Sequence, residues 1–344
     1  MPGEFDLIDK YFNRPATSAI LGVGDDCALV MPSPGMELAI TTDMLLAGRH
    51  FSPTDGPGTI GHKALAVNLS DLAAMGATPR WVLMSIGLPD ANEKFLKGFT
   101  GGFFALAKKF GVELIGGDTT RSGLLTISIT AIGEVPAGKA LRRDGAKEGD
   151  DIWVSGTLGD AAAALAHHQG ALRLTTEEAI ACFPRLFVPE PRVELGLALR
   201  DIAHACIDVS DGFAADLGHI LERSGTGAEV EFESLPLSPA LKAHEQEDAA
   251  RNCILAGGDD YELVFTASPD KRAEIDALSD RLQLRLTRVG LIRPPPVQAT
   301  QPRPPRPLAG EGQGEGERLI IRRNGEQIPL TRTGFDHFAP PLSN

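Results

Sequence analysis

The chain has 344 residues (36.5 kDa), 42% of them hydrophobic and 6% aromatic, enough for about two domains with cores of their own. With 33 basic against 46 acidic residues the formal charge is −13. This argues against the basic face that a phosphate backbone needs, so no nucleic-acid partner is expected. No apolar run nears the roughly 18 residues of a membrane span, and the opening Met1-Pro2-Gly3-Glu4-Phe5-Asp6 lacks the regions of a leader. Cys27, Cys182, Cys206 and Cys253 are scattered without a pair motif. A cytoplasmic protein with reduced thiols and no membrane partner is expected.

Apolar alternation and β-branching predict strands over 37–42, 81–88, 113–115 and 124–135. Helical stretches lie between them over 59–75 and 91–110. The first stops at Gly76-Ala77-Thr78-Pro79, the second at Gly111 after Lys108 and Lys109. The turn-rich stretch 142–150 reads as a boundary, giving domains over 1–140 and 141–344. Beyond it, strands are predicted over 151–155, 206–209 and 261–266, and helices over 160–168, 192–205 and 213–223. The fold class is mixed α/β (α+β) in two domains. Residues 293–317 hold seven prolines and four glycines, a composition that cannot offset its ordering entropy and reads as a flexible insertion.

Several motifs fail on inspection. Gly133-Glu134-Val135-Pro136-Ala137-Gly138-Lys139 approximates a P-loop, but Ala140 stands where a hydroxyl should hold magnesium. Gly22-Val23-Gly24-Asp25-Asp26-Cys27 lacks the third glycine of a dinucleotide fingerprint and puts carboxylates where pyrophosphate needs bare amides. Asp208 to His219 lacks the closing glutamate of an EF-hand loop.

What survives is a set of aspartates beside glycines or at predicted strand ends: Asp25, Asp26, Asp43, Asp71, Asp118, Asp208, Asp211, Asp259 and Asp260. Taken singly, each is open to a bland reading as a helix cap or turn residue, Asp211 before Gly212 above all. Asp71 resists it, because it sits in a helical pattern of apolar and small residues where an unpaired carboxylate is costly. Asn68, three residues earlier, shares its face. Hard-oxygen donors without matching imidazoles or thiolates point to magnesium, which typically joins one or two carboxylates to substrate phosphates. The chemistry indicated is metal-dependent, phosphate-handling and nucleotide-using.

Seven stretches in order, GVGDDCAL (22–29), TTDMLLAGRHF (41–51), KALAVNLSDLAAMGA (63–77), LIGGDTTR (114–121), IDVSDG (207–212), GGDDYEL (257–263) and GFDHF (334–338), resemble the thiamine-monophosphate kinase family. That family lies within the aminoimidazole-ribonucleotide synthetase-like superfamily. The resemblance implies an N-terminal domain pairing into a dimeric β-barrel and a C-terminal α/β domain. It further implies direct, in-line transfer of the ATP γ-phosphoryl to thiamine monophosphate with several Mg2+ ions, the last step to thiamine diphosphate, without a classical acid–base residue. By motif position, Asp26, Thr41, Thr42, Asp43, Asp71, Asp118, Asp208 and Asp211 are implied metal ligands. Gly117, Asp118, Arg142 and Ser210 are implied ATP contacts, and His50, Asp259 and Phe335 are implied contacts of thiamine monophosphate. Many members carry glutamate at the Asp259 position and tyrosine or tryptophan at the Phe335 position. A sister synthetase activating an amide or formyl oxygen is the nearest alternative, and a metal- or thiamine-phosphate-binding module is the non-enzyme one.

Overall fold

The computed structural model describes residues 3–296, 318–330 and Gly334. Most of the 293–317 insertion, and Phe335, lie outside the described residues. The chain divides into two compact units, one of Met1–Ala140 with Phe187–Leu197, the other of Leu141–Leu186 with Ala198–Asn344. Among the described residues no helix is long and apolar enough to cross a membrane.

The first unit opens with α1 (Glu4–Leu7), which runs into one wider helical turn over Ile8–Phe12. Then follow β1 (Met36–Leu46), α2 (Pro57–Ala74), β2 (Thr78–Leu88), α3 (Glu93–Phe110), β3 (Glu113–Arg121) and β4 (Thr126–Pro136). The strands form one sheet in the order β1-β4-β2-β3. β4 is antiparallel to both neighbours, whereas β2 and β3 are parallel, a pairing that requires the crossover helix α3. Asn92 caps α3 by accepting from the Phe95 N–H at 3.0 Å, and Gly111 closes it at φ +66°. Leu96, Phe99, Phe103 and Leu106 are buried at helical spacing. α2 and α3 touch backbone to backbone: a Cβ on Gly102 would stand 1.9 Å from the Gly58 carbonyl oxygen.

Two strands run further than their composition suggests. The predicted strand over 37–42 continues to Leu46, because β4 pairs with β1 residue by residue as far as Leu46↔Thr126. The one over 113–115 continues to Arg121, held by β2. Asp43 and Asp118 therefore lie within strands and not beyond them. The false P-loop is the exit of β4 into a turn, where the Ala137 N–H donates to the Gly35 carbonyl.

After the first unit's sheet come β5 (Asp151–Ser155), α4 (Asp160–His168), α5 (Thr176–Phe187), α6 (Val193–Ala198), β6 (Ala205–Asp208), α7 (Phe213–Ser224) and β7 (Gly227–Glu231), all in the second unit but α6, which falls mostly to the first. α8 (Pro239–His244), α9 (Asp248–Ala256), β8 (Leu263–Ala267), α10 (Arg272–Leu282), β9 (Leu286–Arg293), β10 (Leu319–Arg323) and β11 (Glu326–Gln327) follow. The second unit's sheet runs β11-β10-β7-β9-β5-β8-β6. The expected helix over 192–205 shrinks to α6, most of which packs with the first unit. There, a Cβ on Gly196 would meet the Ala73 carbonyl at 2.0 Å. Residues 199–202 form a turn, and the sheet takes the chain from there, since the His204 N–H already donates to the Thr266 carbonyl at 2.8 Å.

Candidate functional site

In the first unit, the face of β1 turned to α2 gathers part of the acidic set. The Thr41 hydroxyl donates to Asp71 Oδ2 in a short bond. The Asp43 N–H donates to Asn68 Oδ1 at 3.2 Å, while Asn68 Nδ2 donates to the Ala64 carbonyl at 3.1 Å. Asn68 is fully buried and so fixes the spacing between β1 and α2. Lys63, 4% exposed, donates from Nζ to the His50 carbonyl at 3.2 Å. His50 itself accepts the Leu46 N–H on Nδ1 at 3.0 Å, so its ring caps the loop after β1.

The alternation of a strand separates the two adjacent threonines. Thr42 turns to the opposite face of the sheet, where its hydroxyl donates to the Ile129 carbonyl at 3.1 Å and takes the Thr130 hydroxyl at 3.2 Å. Its side chain is not brought together with those of Thr41, Asp43 and Asp71. Asp118 is exposed on β3, paired with Ser85. The preceding Gly117 sits at φ +148°, and a Cβ there would lie 1.8 Å from the Met84 carbonyl oxygen. Only glycine fits that position. Asp26 is exposed in the loop before β1, its N–H taken by the Asp25 carboxylate at 2.8 Å.

In the second unit two sequence stretches are knitted into one surface. Asp208 ends β6 and is buried. The loop after it pairs with the GGDDYEL stretch: Asp259 N–H to the Ser210 carbonyl at 3.0 Å, Tyr261 N–H to Val209 at 2.8 Å, and Val209 N–H to Glu262 at 2.8 Å. A Cβ on Gly258 would come within 2.2 Å of the Ser210 carbonyl oxygen. Gly334 lies at the same place, since a Cβ there would stand 2.5 Å from Ala215 Cβ and 3.1 Å from the Asp211 carbonyl.

Asp211 does not cap α7. Gly212 occupies the N-cap position at φ +128°, and Asp216 reaches back from the first turn. Its Oδ2 accepts the N–H groups of Ser210, Asp211 and Gly212 at 3.0, 3.1 and 3.0 Å. Burial, then the nearby Asp211 charge, pushes the Asp216 carboxyl up to about 7 despite those three bonds. Asp216 thereby sets the shape of the Ser210–Gly212 loop. Sequence reasoning missed it because an acid in a first helical turn is commonplace.

The GGDDYEL loop is strained. Asp259 lies at φ +69° and Tyr261 at φ +51°, left-handed conformations that cost residues with a Cβ about 1–2 kcal/mol each. Between them, Asp260 is fully buried and takes the Gly159 N–H on both oxygens at 2.9 and 2.8 Å. Burial holds its carboxyl well above the usual carboxylate range. Arg185 braces the loop on the Asp260 carbonyl at 3.3 Å and on the buried Glu262 carboxylate. Arg142 is exposed, and its guanidinium holds Asp144 through two bonds of 2.8 and 2.5 Å.

The donors assembled are oxygen atoms. Burial pushes the thiols of Cys182 and Cys253 up to about 12, so neither offers a thiolate. Among the described residues, no three His, Cys, Asp or Glu side chains already converge as a metal centre.

Comparison with known proteins identifies the pattern. Residues 24–135 match the AIR synthase related protein, N-terminal domain, and residues 147–298 the corresponding C-terminal domain. A thiamine-monophosphate kinase of Salmonella typhimurium is 43% identical over 343 residues, covering 98% of this chain and 99% of the relative. The crystal structure of the thiamine-monophosphate kinase from Stenotrophomonas maltophilia K279a superposes with a TM-score of 0.79 at 46% identity, covering 95% of this chain and 98% of that one. AaThiL complexed with AMPPCP and TMP superposes at 0.73 with 30% identity, covering 98% and 97% of the two chains.

Proposed function

The chain belongs to the thiamine-monophosphate kinases, and on that footing we propose that it transfers the γ-phosphoryl of ATP to thiamine monophosphate, yielding thiamine diphosphate and ADP. The observation that carries the reading is an oxygen-only donor set on a chain that matches such kinases from end to end. Magnesium fits those donors by chemistry. In the first unit Thr41, Asp43 and Asp71 would hold one such ion, with Asp26, Thr42 and Asp118 as the remaining candidates, and in the second unit Asp208 and Asp211 would hold another. When bound, the metal supplies neutralising charge between phosphate groups that otherwise repel.

The protein's own part is positioning. Thr41 orients the Asp71 carboxylate, Asn68 holds the Asp43 backbone, and Asp216 gathers three N–H groups of the Ser210 loop. Ser210 and Gly117 are the proposed ATP contacts. Arg142 joins them by exchanging Asp144 for phosphate, an inexpensive exchange for an exposed pair. His50 and Asp259 are the proposed contacts of thiamine monophosphate, with Phe335.

The proposed assembly is a cytoplasmic homodimer, each copy contributing its first unit. Met36, Leu38, Ile40 and Met44 lie at alternate positions of the edge strand β1 and are exposed, Ile40 to 63%. Such an apolar edge calls for a partner.

Mass-spectrometric detection of thiamine diphosphate from purified protein, thiamine monophosphate and Mg-ATP tests the activity, with EDTA as the control. Product that appears only with magnesium supports the proposal. Folded protein that turns over ATP only with a formylated amide would replace it with the sister synthetase reaction.

A further inference from the structure

The strain in the GGDDYEL loop serves one carboxylate. With Asp259 at φ +69° and Tyr261 at φ +51°, the phenol of Tyr261 turns back on the chain and donates to Asp259 Oδ1 at 2.8 Å. The tyrosine is only 8% exposed, so the ring is packed and its hydroxyl is aimed. The backbone on which the pair stands is fixed from three sides. The N–H groups of residues 259 and 261 bond to the Ser210 and Val209 carbonyls, the Asp260 carboxylate grips the Gly159 N–H, and Arg185 holds the Asp260 carbonyl. None of those anchors involves the phenol oxygen. Strain of this kind persists only where the surroundings over-determine it, and it concentrates at ligand clamps.

We propose that Tyr261 is a positioning residue for substrate recognition: its hydroxyl fixes the orientation in which the Asp259 carboxylate meets the cationic heteroaromatic part of the phosphate acceptor. The inference rests on the reading that Asp259 faces thiamine monophosphate. A carboxylate tethered on one oxygen loses rotational freedom before the ligand arrives, so less is lost on binding. The effect falls on affinity for the acceptor and leaves ATP and the transfer step alone.

Steady-state kinetics with each substrate varied, on wild type, Tyr261→Phe, Asp259→Asn and the double variant, tests this. Tyr261→Phe keeps ring, packing and loop anchors and removes one oxygen. Its KM for thiamine monophosphate is expected to rise about 5- to 20-fold, at the low end of what one hydrogen bond to a charged group is worth, since only the preorganisation of the carboxylate is lost. Its kcat, KM for ATP and thermal midpoint should stay close to wild type. In the Asp259→Asn background the same change should add little, because the carboxylate that the hydroxyl orients is gone. An unchanged KM in Tyr261→Phe, or effects that multiply in the double variant, overturns the positioning role while the kinase activity stands. A wild type that makes no thiamine diphosphate overturns the activity and this inference together.

Discussion

Asp216 offers a test in which the sign as well as the size is fixed by the structure. Its carboxyl is buried and raised from 3.8 to about 7. Below pH 4 it is protonated in both folded and unfolded chains and costs nothing. Between pH 4 and 7 the folded chain keeps a proton that the unfolded chain has released, so stability falls as pH rises. Above 7 the folded chain carries the full cost of the buried charge. At about 1.4 kcal/mol per pH unit separating the two values, that cost is about 4 kcal/mol. Asp216→Asn cannot ionise, and it pays only a pH-independent penalty for presenting an amide to three N–H donors. Urea unfolding of both proteins in EDTA, from pH 4 to 8, gives two stability curves. Their difference should move by about 4 kcal/mol in favour of the variant as pH rises, whereas titrating groups not coupled to Asp216 cancel. Parallel curves would refute the reasoning and mean that the three N–H bonds, not burial, dominate at Asp216.

Asp71→Asn should lower kcat at saturating magnesium by about 100-fold or more with an unchanged thermal midpoint, since it removes charge at the site while keeping an acceptor for Thr41; a near-normal rate would count against it. Gly258→Ala places a Cβ 2.2 Å from the Ser210 carbonyl oxygen. The Ser210 loop must then shift by about 1 Å, and kcat/KM should drop about 100-fold with circular dichroism unaltered. Ile40→Asp sets a charge on the exposed row of β1, and sedimentation equilibrium should show a monomer where the proposed assembly makes the wild type a dimer; a wild type and variant of equal mass would count against that assembly.

What could be read from the sequence follows from which physical rule each residue obeys. The end of α3 is legible because Gly111 does what glycine does after any helix, whereas the expected start at 91 lies two residues ahead of the observed one, which the Asn92 cap sets. The pairing of Asn68 with Asp71 on one face was legible because 3.6-residue periodicity needs no tertiary information. Thr41 and Thr42 were not separable. A period of two puts them on opposite faces, but only the register with β4 and α2 says which face meets Asp71. Asp43 looked like a turn residue because aspartate is a poor strand former, and eleven consecutive pairings with β4 overrule that preference.

The least legible features are those in which the chain departs from its own propensities. Nothing in Asp259 or Tyr261 announces a left-handed backbone, and Gly258, the obvious candidate for one, is needed instead for its missing Cβ. Asp216 acts across a bend that Gly212 permits at φ +128°, so its three contacts depend on a conformation that no local pattern encodes. Both cases have one cause: the IDVSDG and GGDDYEL stretches shape each other, through bonds between residues some 50 positions apart. A loop whose geometry is fixed by another loop can be recognised in sequence by its motif, but its working carboxylates can be located only once the two are folded together.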